Sequence, residues 1–173
     1  YERAYPGFVQ LNMLLSLGYY ERAYGDLAFQ QADYAKALRR YEKYAYFAGL
    51  ENHPWSMAQA RAKVALALAR TGKSQQARRE VRNLLVEISA WGEDELILTA
   101  LLAEPVCLVQ EGNHESAVEL AAFIRHHPVA WKEMKQQAQN ILDQAVHGLP
   151  EETVQAAVQR GQTLTLKFVA DSI

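Results

Sequence analysis

Cysteine is almost absent from this chain, and long apolar runs are missing too. Cys107 is the single cysteine among 173 residues, so no internal disulfide can form and we expect a reducing, cytoplasmic compartment. The longest apolar run, residues 96–103, is far shorter than the roughly 20 residues that a membrane-spanning helix needs. No basic segment followed by an apolar stretch opens the chain. The sequence therefore predicts neither a membrane span nor a secretion signal.

Glycine and proline are also sparse, with nine and five residues, and half of the chain is hydrophobic, which is typical of a soluble globular protein. Charge is unevenly distributed, because residues 1–82 carry 13 Lys and Arg against 7 Asp and Glu whereas residues 83–173 carry 5 against 13. All nine tyrosines lie between Tyr1 and Tyr46. Residues 1–5 resemble the end of a helix, so we expect this chain to be part of a longer protein.

A short segment recurs three times, with a constant spacing of 40 residues. Each copy has a small residue, then a residue that can cap a helix, then an alanine. The alanines are Ala37, Ala77 and Ala117, the small residues are Ala32, Gly72 and Gly112, and the capping residues are Asp33, Ser74 and Asn113. This pattern predicts a turn between two helices, because the small residue permits the reversal and the cap accepts the first free amides of the next helix. The alanine follows where two helices approach closely.

Between these turns the hydrophobic residues follow a helical period. Val81, Leu84, Leu85 and Ile88 lie at i, i+3, i+4 and i+7, which traces one apolar stripe on a helix, and no sustained alternating run predicts a strand. We therefore predict an all-α fold. Its helices are expected at about 8–31, 33–48, 54–71, 73–91, 93–111, 113–126, 128–146, 149–160 and 165–172.

Two residues predict interruptions of these helices. Gly18 is a candidate to divide the first helix. Pro105 should kink or split the fifth, because its missing amide is the donor that the carbonyl of Leu101 needs.

The first copy of the repeat resembles a tetratricopeptide (TPR) unit. Within residues 24–41, Gly25, the turn, the alanine and Tyr41 lie at matching spacings. The second and third copies keep the turn and the alanine but replace the glycine with Ala65 and Pro105. Their spacing of 40 exceeds the period of about 34 residues in a standard TPR, so we expect longer helices.

The tail, residues 149–173, carries a different signal. Pro150 and the two glutamates after it open a helix, Gly161 is expected to end it, and Thr165 is expected to cap a short last helix. This arrangement resembles the C-terminus of bacterial STAND-type ATPase regulators, in which a nucleotide-binding core precedes a TPR-like helical array. The resemblance implies an α-solenoid of TPR-like hairpins over residues 1–148, a C-terminal helical cap over 149–173, and an ATPase upstream.

One sequence motif imitates a nucleotide site. Gly72, Lys73 and Ser74 match the end of a phosphate-binding loop, but that loop also needs a glycine where Ala67 stands and a strand in front of it. The segment before Gly72 has a helical pattern, and the repeated turn explains the three residues fully. We expect no nucleotide here, and no nucleotide motif of the regulator family is present to be carried over.

Other reactive residues also have structural explanations. The adjacent residues His126 and His127 lack the spacing of metal ligands, and Cys107 lies among aliphatic residues as a small buried hydrophobe would. The acidic run 93–95 stands where a helix begins, and acids there are stabilised by the helix dipole. We therefore expect no catalytic residues, no metal and no cofactor, and the chain is predicted not to be an enzyme.

A basic stripe is predicted on the second helices of the hairpins. Arg39 and Arg79 are 40 residues apart, and Arg40, Arg78 and Arg82 flank them. Second helices form the outer side of a TPR array, so we expect a solvated helix face and no direct binding of nucleic acid.

The sharpest functional hypothesis concerns the concave side, which in a TPR array is lined by the first helices. The matched positions are Tyr19, Arg22, Asp26, Gln30, Gln59, Arg70 and Gln110. Tyrosine and arginine are residue types that anchor interfaces. The hypothesis is that this groove contacts a peptide, a partner protein, a small effector or another domain of the same protein. The rival explanation is that the tyrosines pack on a preceding repeat.

Two functions follow as expectations. The first is a protein- or effector-binding sensor region of a larger bacterial signalling or transcription regulator. The second is a freestanding TPR scaffold that holds a peptide or partner protein. The opposite charges of the two halves also favour head-to-tail self-association, which would weaken at high salt.

Overall fold

The computed structural model describes residues 5–11 and 13–173, and no residue in these ranges belongs to a β-strand. This confirms the predicted all-α class. The helices are α1 (Tyr5–Gln10), α2 (Leu14–Gln30), α3 (Tyr34–Leu50), α4 (Pro54–Arg70), α5 (Ser74–Ile88), α6 (Asp94–Leu101), α7 (Ala103–Gln110), α8 (His114–His126), α9 (Lys132–Ala145), α10 (Glu151–Thr163) and α11 (Leu166–Ser172). Of the helix end predicted at residues 1–5, residues 1–4 lie outside the described residues and Tyr5 belongs to α1.

Between α2 and α8, residues in the left-handed conformation recur at a regular spacing, which Gly148, with a φ of 84°, does not continue. Ala32, Asn52, Gly72, Gly92 and Gly112 have φ angles of 60°, 49°, 79°, 70° and 78°, and each lies 20 residues after the one before. After α2, α3, α4 and α7, the residue that follows the left-handed residue donates its backbone amide to the carbonyl five positions earlier in the chain. These N···O distances are 2.9 to 3.0 Å. This bond closes a helix C-terminus in the Schellman manner. The three turns predicted from the sequence, at Ala32, Gly72 and Gly112, are the first, third and fifth of these five residues.

The capping residues agree with the prediction at the first and third turns but not at the second. Asp33 accepts from the amide of Lys36 at 3.1 Å, and Asn113 caps α8 in the same way. Ser74 is not a cap, because Lys73 occupies the cap position and α5 begins at Ser74 itself. The prediction was wrong by one residue: Lys73 aligns with Asp33, and a lysine side chain has no acceptor atom.

Of the two predicted interruptions, one is confirmed and one is wrong. Pro105 lies in the first turn of α7, and the predicted fifth helix is split between Leu101 and Ala103. Gly18 does not divide its helix; the break falls between α1 and α2 instead. Gly18 is buried inside α2, where an added Cβ would lie 3.2 Å from the ring of Tyr44. This glycine therefore serves close packing rather than a turn.

Several helix ends also differ from the prediction. α5 ends at Ile88 and continues as a single 3-10 turn, Ser89–Trp91, and α9 begins at Lys132 rather than at residue 128. Gly161 does not end α10, which continues to Thr163. It is buried where α10 crosses α8, and a Cβ there would collide with a backbone carbonyl of α8. The predicted cap at Thr165 is confirmed, since its hydroxyl accepts from an amide of α11 at 3.3 Å.

Small residues stand at the helix crossings, as the repeat predicted. Ala37, Ala77 and Ala117 are all fully buried. Gly25 is buried against Tyr41, and an added Cβ would lie only 2.5 Å from the ring. One large core joins buried residues of α4 to α11, and a smaller cluster joins α2, α3 and α4.

The helices pack mainly against their neighbours in the chain. α4 contacts α3 and α5 and also reaches α6 and α7, whereas α8 packs against α7, α9 and α10. The tail belongs to the same core, because Ala157 of α10 and Val169 of α11 are buried in it. This arrangement leaves α2, α4, α6 and the start of α9 facing one another across a common cavity.

Candidate functional site

The cavity between these four helices has a volume of about 330 Å³. It is lined by Arg22, Asp26, Phe29, Gln30, Tyr41, Gln59, Lys63, Leu66, Glu95, Thr99, Leu102, Trp131, Glu133, Met134 and Gln137. Most of these residues recur every three or four positions along their helix, which is the spacing of one helix face. Each helix therefore contributes one continuous stripe to the wall.

A ladder of side-chain hydrogen bonds joins α2 to α4. It consists of three bonds, Tyr19 to Ser56 at 3.3 Å, Arg22 to Gln59 at 2.8 Å and Lys63 to Asp26 at 2.8 Å. In every pair the residue on α4 follows its partner on α2 by 37 positions. A constant offset means that α2 and α4 run in the same direction, as alternate helices of a hairpin stack do.

The middle of the ladder holds a half-buried arginine, Arg22. Gln59 is buried, and its Oε1 accepts from Nη1 of Arg22 and from the hydroxyl of Tyr44 at 3.0 Å. The guanidinium carbon of Arg22 lies 5.2 Å from the ring centre of Tyr19 and 6.0 Å from that of Tyr44. Nε of Arg22 is buried and has no hydrogen-bond partner. Since most buried polar atoms are hydrogen-bonded, a free donor here is unusual.

The third bond of the ladder joins Lys63 to Asp26, and the Asp26 carboxylate also accepts a hydrogen bond from a tyrosine. Oδ1 of Asp26 accepts from the hydroxyl of Tyr41 at 2.8 Å and from Nζ of Lys63 at 2.8 Å. Nζ also lies 5.4 Å from the centre of the Tyr41 ring. Burial raises the pKa of Tyr41 far above its ordinary value, and the neighbouring charge of Asp26 adds to that effect. Tyr41 therefore stays protonated and donates to Asp26 at every physiological pH.

The opposite wall is acidic and partly apolar. Glu95 of α6 and Glu133 of α9 line the cavity together with Trp131 and Met134. Within the described part of the chain, no hydrogen bond or ion pair reaches either carboxylate. Both glutamates are exposed, so the cavity has the guanidinium of Arg22 on one side and, on the other, two solvated carboxylates without an ion pair to any described residue.

Of the seven predicted groove residues, Arg22, Asp26, Gln30 and Gln59 line this cavity. Tyr19 does not line it but packs against Arg22. The last two of the seven, Arg70 and Gln110, lie at helix ends outside its lining.

Both of these outer residues have contacts within the fold. Arg70 lies over the ring of Tyr34 and donates to Gln144 at 3.0 Å, although its Nε is buried without a partner. Gln110 donates to the carbonyl of Ala69 at 2.6 Å and accepts from Ser74 at 2.7 Å. These contacts hold neighbouring turns together, so Gln110 serves the stacking of the helices rather than the cavity.

The cavity also contains residues that the sequence analysis missed. Lys63 carried a usable signal, because it lies one helical turn after Gln59 and so shares its face. The residues of α6 and α9 carried none. Their place in the wall depends on how the split fifth helix and α9 pack, and no periodicity within either segment reveals it.

The predicted basic stripe is partly neutralised. Arg40 forms an ion pair with buried Glu21 at 2.7 Å. Arg78 forms ion pairs with Glu104 at 2.8 Å and with Glu111, just after α7, at 2.6 Å. Arg39, Arg79 and Arg82 are exposed. The stripe therefore does not form one continuous cationic surface.

The other reactive residues are occupied or buried. Nδ1 of His126 lies 2.8 Å from the carbonyl of Ala122, and burial raises the pKa of the Cys107 thiol. No group of three or more His, Cys, Asp and Glu side chains within residues 5–11 and 13–173 could hold a metal ion. Over the same ranges, none of the helices has both the length and the apolar character needed to cross a membrane.

Comparison of the chain with family models, with curated proteins and with solved structures gives no match.

Proposed function

We propose that this chain is an α-solenoid of TPR-like hairpins whose concave groove binds an effector or a peptide segment. In this proposal it is the sensor region of a larger bacterial STAND-type regulator. Two features support the hairpin stack: left-handed residues recur every 20 positions from Ala32 to Gly112, and α2 and α4 are joined by bonds of constant offset. Neighbouring units that repeat in this way leave a continuous concave surface.

The observation that carries the binding role is the state of the polar groups in the cavity. Arg22 keeps a buried donor, Nε, without a partner. A purely structural interface satisfies such a group, because each unpaired buried donor costs about 1–3 kcal/mol. Glu95 and Glu133 are exposed and form no ion pair within the described residues, so their carboxylates are free to meet a cationic ligand. Ligand sites usually combine apolar walls with a few placed polar groups, and this cavity combines Phe29, Leu66, Trp131 and Met134 with charged side chains.

The tyrosines divide between the two explanations offered for them. Tyr5, Tyr20 and Tyr24 form a row of rings with centres 4.7 and 4.6 Å apart, beside α1. Tyr19 and Tyr44 instead surround the guanidinium of Arg22. The first set is suited to packing at the N-terminal end, and the second set supports the groove hypothesis.

A fluorescence screen tests the binding role, because Trp131 lines the cavity and can report its occupation. The probes are panels of amino acids, sugars, nucleotides and short peptides. We expect at least one class to change the emission of Trp131 and to raise the melting temperature. Replacing Trp131 with Phe should remove the optical signal and keep the thermal shift.

The variant that tests the site combines Tyr19→Ala with Arg22→Ala. Its matched control combines Tyr46→Ala with Arg39→Ala, which removes the same residue types from exposed positions of α3. We expect the first variant to lose affinity at least tenfold with its helical content unchanged, while the control binds as the wild type does. Equal affinity in all three proteins would remove the groove hypothesis.

The regulator role has its own test, which is to read the residues upstream of Tyr1. A phosphate-binding loop a few hundred residues earlier would support it. A start codon directly before Tyr1 would contradict it and favour the freestanding scaffold.

A further inference from the structure

We propose that the cavity binds a free basic amino acid, that is, a small ligand with one carboxylate and two cationic groups. This inference rests on the proposed function and names the ligand class for the same site. It follows from the charged side chains that line the cavity and form no ion pair with another lining residue.

Five charged side chains line the cavity: Arg22, Asp26, Lys63, Glu95 and Glu133. Asp26 and Lys63 form an ion pair at 2.8 Å and neutralise each other. One cation, Arg22, and two anions, Glu95 and Glu133, are left. A ligand that matches them carries one negative and two positive groups.

Arg22 is built to receive a carboxylate. Its Nη1 is held by Gln59, and the rings of Tyr19 and Tyr44 lie beside the guanidinium. Nε is buried, whereas Nη2 forms no hydrogen bond within the described residues and is left over as a donor. Guanidinium groups bind carboxylates through two parallel N–H bonds, so an immobilised arginine with a spare donor favours this anion.

The acidic wall is suited to the two cationic groups and to the chain between them. Glu95 comes from α6 and Glu133 from α9, so each can accept a different cationic group. Trp131 and Met134 supply apolar surface next to Glu133, and an indole ring also attracts cations. The volume of about 330 Å³ lies at the lower end for ligand pockets, which favours a single small molecule.

Other ligand classes leave charges unpaired. A phosphate ester would place its negative charge against Glu95 and Glu133, and like charges repel. A neutral sugar would desolvate all three free charges without neutralising any. A simple diamine would match the acids and leave Arg22 without an anion.

The test is a titration of Trp131 emission, checked by calorimetry, with four probes that differ in one group each. L-Lysine and L-arginine have all three charged groups, L-norleucine lacks the side-chain cation, and cadaverine lacks the carboxylate. We expect lysine and arginine to bind, and norleucine and cadaverine to bind at least tenfold more weakly.

Two variants assign the charges to residues. Glu133→Gln should weaken lysine at least tenfold and leave norleucine unchanged. Arg22→Met should weaken lysine to the level of cadaverine and leave cadaverine unchanged. Glu42→Gln, an exposed position of α3, is the matched control and should bind every probe as the wild type does.

Two results would overturn the proposal. One is norleucine or cadaverine binding as tightly as lysine. The other is no response to lysine or arginine at millimolar concentrations. If a different compound class still shifts Trp131 emission and the Tyr19→Ala, Arg22→Ala variant abolishes that shift, then the groove function stands and only the ligand class is wrong.

Discussion

The helices of this chain are held together by two different kinds of interface. Between α2, α3 and α4 the contacts combine aromatic rings with polar groups: Tyr41 and Tyr44 are buried, and their hydroxyls donate to Asp26 and Gln59. From α5 to α8 the interior is aliphatic, with Val81, Leu84, Ile88, Leu98, Leu101 and Ile124 almost wholly buried. The same kind of helix pair is therefore stabilised by different chemistry in the two regions.

The difference teaches where stability and binding are located. An aliphatic interior is non-directional, and its stabilisation scales with the apolar area removed from water. A polar aromatic interface adds directional hydrogen bonds, which fix side chains such as Arg22 in one geometry. We therefore expect substitutions in the α5–α8 region to act mainly on folding, and substitutions in the α2–α4 region to act also on the cavity.

The largest expected effect is in the aliphatic region. Leu101→Ala should lower the free energy of unfolding by about 2–5 kcal/mol, because it leaves a cavity at a fully buried position. Urea unfolding followed by circular dichroism measures this change. Leu50→Ala on exposed surface is the control, and a similar loss in both variants would mean that the interior is not packed as described.

A smaller effect is expected where glycine admits an aromatic ring. Gly25→Ala would place a Cβ 2.5 Å from Cε1 of Tyr41, so the ring must move away from Asp26. We expect a loss of about 1–3 kcal/mol in the free energy of unfolding, measured in the same urea experiment.

Gly49→Ala is the matched control, since its nearest neighbour would be the sulfur of Met57 at 3.8 Å. That variant should be unchanged or slightly more stable, because alanine favours helices over glycine. If Gly25→Ala behaves as Gly49→Ala does, then the close contact between α2 and α3 is contradicted.

The smallest effect is a pH dependence confined to the polar aromatic region. Above its ordinary pKa of 10.0, Tyr41 ionises in the unfolded chain but stays protonated in the folded one, because burial has raised its pKa. The unfolded state then binds fewer protons, and the free energy of unfolding falls as the pH rises. The expected contribution is about 1.4 kcal/mol per pH unit.

Urea unfolding at about pH 9 and about pH 11 detects this fall. Tyr41→Phe should make it shallower, and Tyr46→Phe, at an exposed ring, should not. Part of the fall should remain in Tyr41→Phe, since burial also raises the pKa of Tyr44. Identical slopes for the wild type and Tyr41→Phe would contradict the buried position of Tyr41.

The regular features of the fold could be predicted from the sequence because each depends on a few neighbouring residues. The turns at Ala32, Gly72 and Gly112 each place a small residue in the left-handed conformation, and their spacing identified them. The turns at Asn52 and Gly92 belong to the same series. They were not identified as repeats because Asn and Gly reach the left-handed region in different sequence contexts.

The groove could be predicted only in part. Alignment by the repeat pairs positions 40 apart, whereas the bonds between α2 and α4 join positions 37 apart. The contact partner thus lies almost one helical turn before the equivalent residue. Gln30, Arg70 and Gln110 are each the last residue of their helix, in agreement with their spacing of 40, but only Gln30 lines the cavity.

The acidic wall could not be predicted, because it depends on tertiary packing. Trp131 and Glu133 reach the cavity only through the way α9 packs on its neighbours, and nothing near them in the sequence specifies that position. The burial of Gly161 against α8 was missed for a similar reason, since glycine in a helix reads as a stop unless its neighbour is known.

The most direct test of the central claim is energy transfer from Trp131 to a small acceptor dye on Gln30→Cys, in a chain with Trp55→Phe, Trp91→Phe and Cys107→Ala. Gln30 is at the end of α2 and Trp131 is at the start of α9, yet both line one cavity. The account predicts efficient transfer in native buffer that is lost in urea. Transfer in native buffer no greater than in the unfolded chain would contradict it.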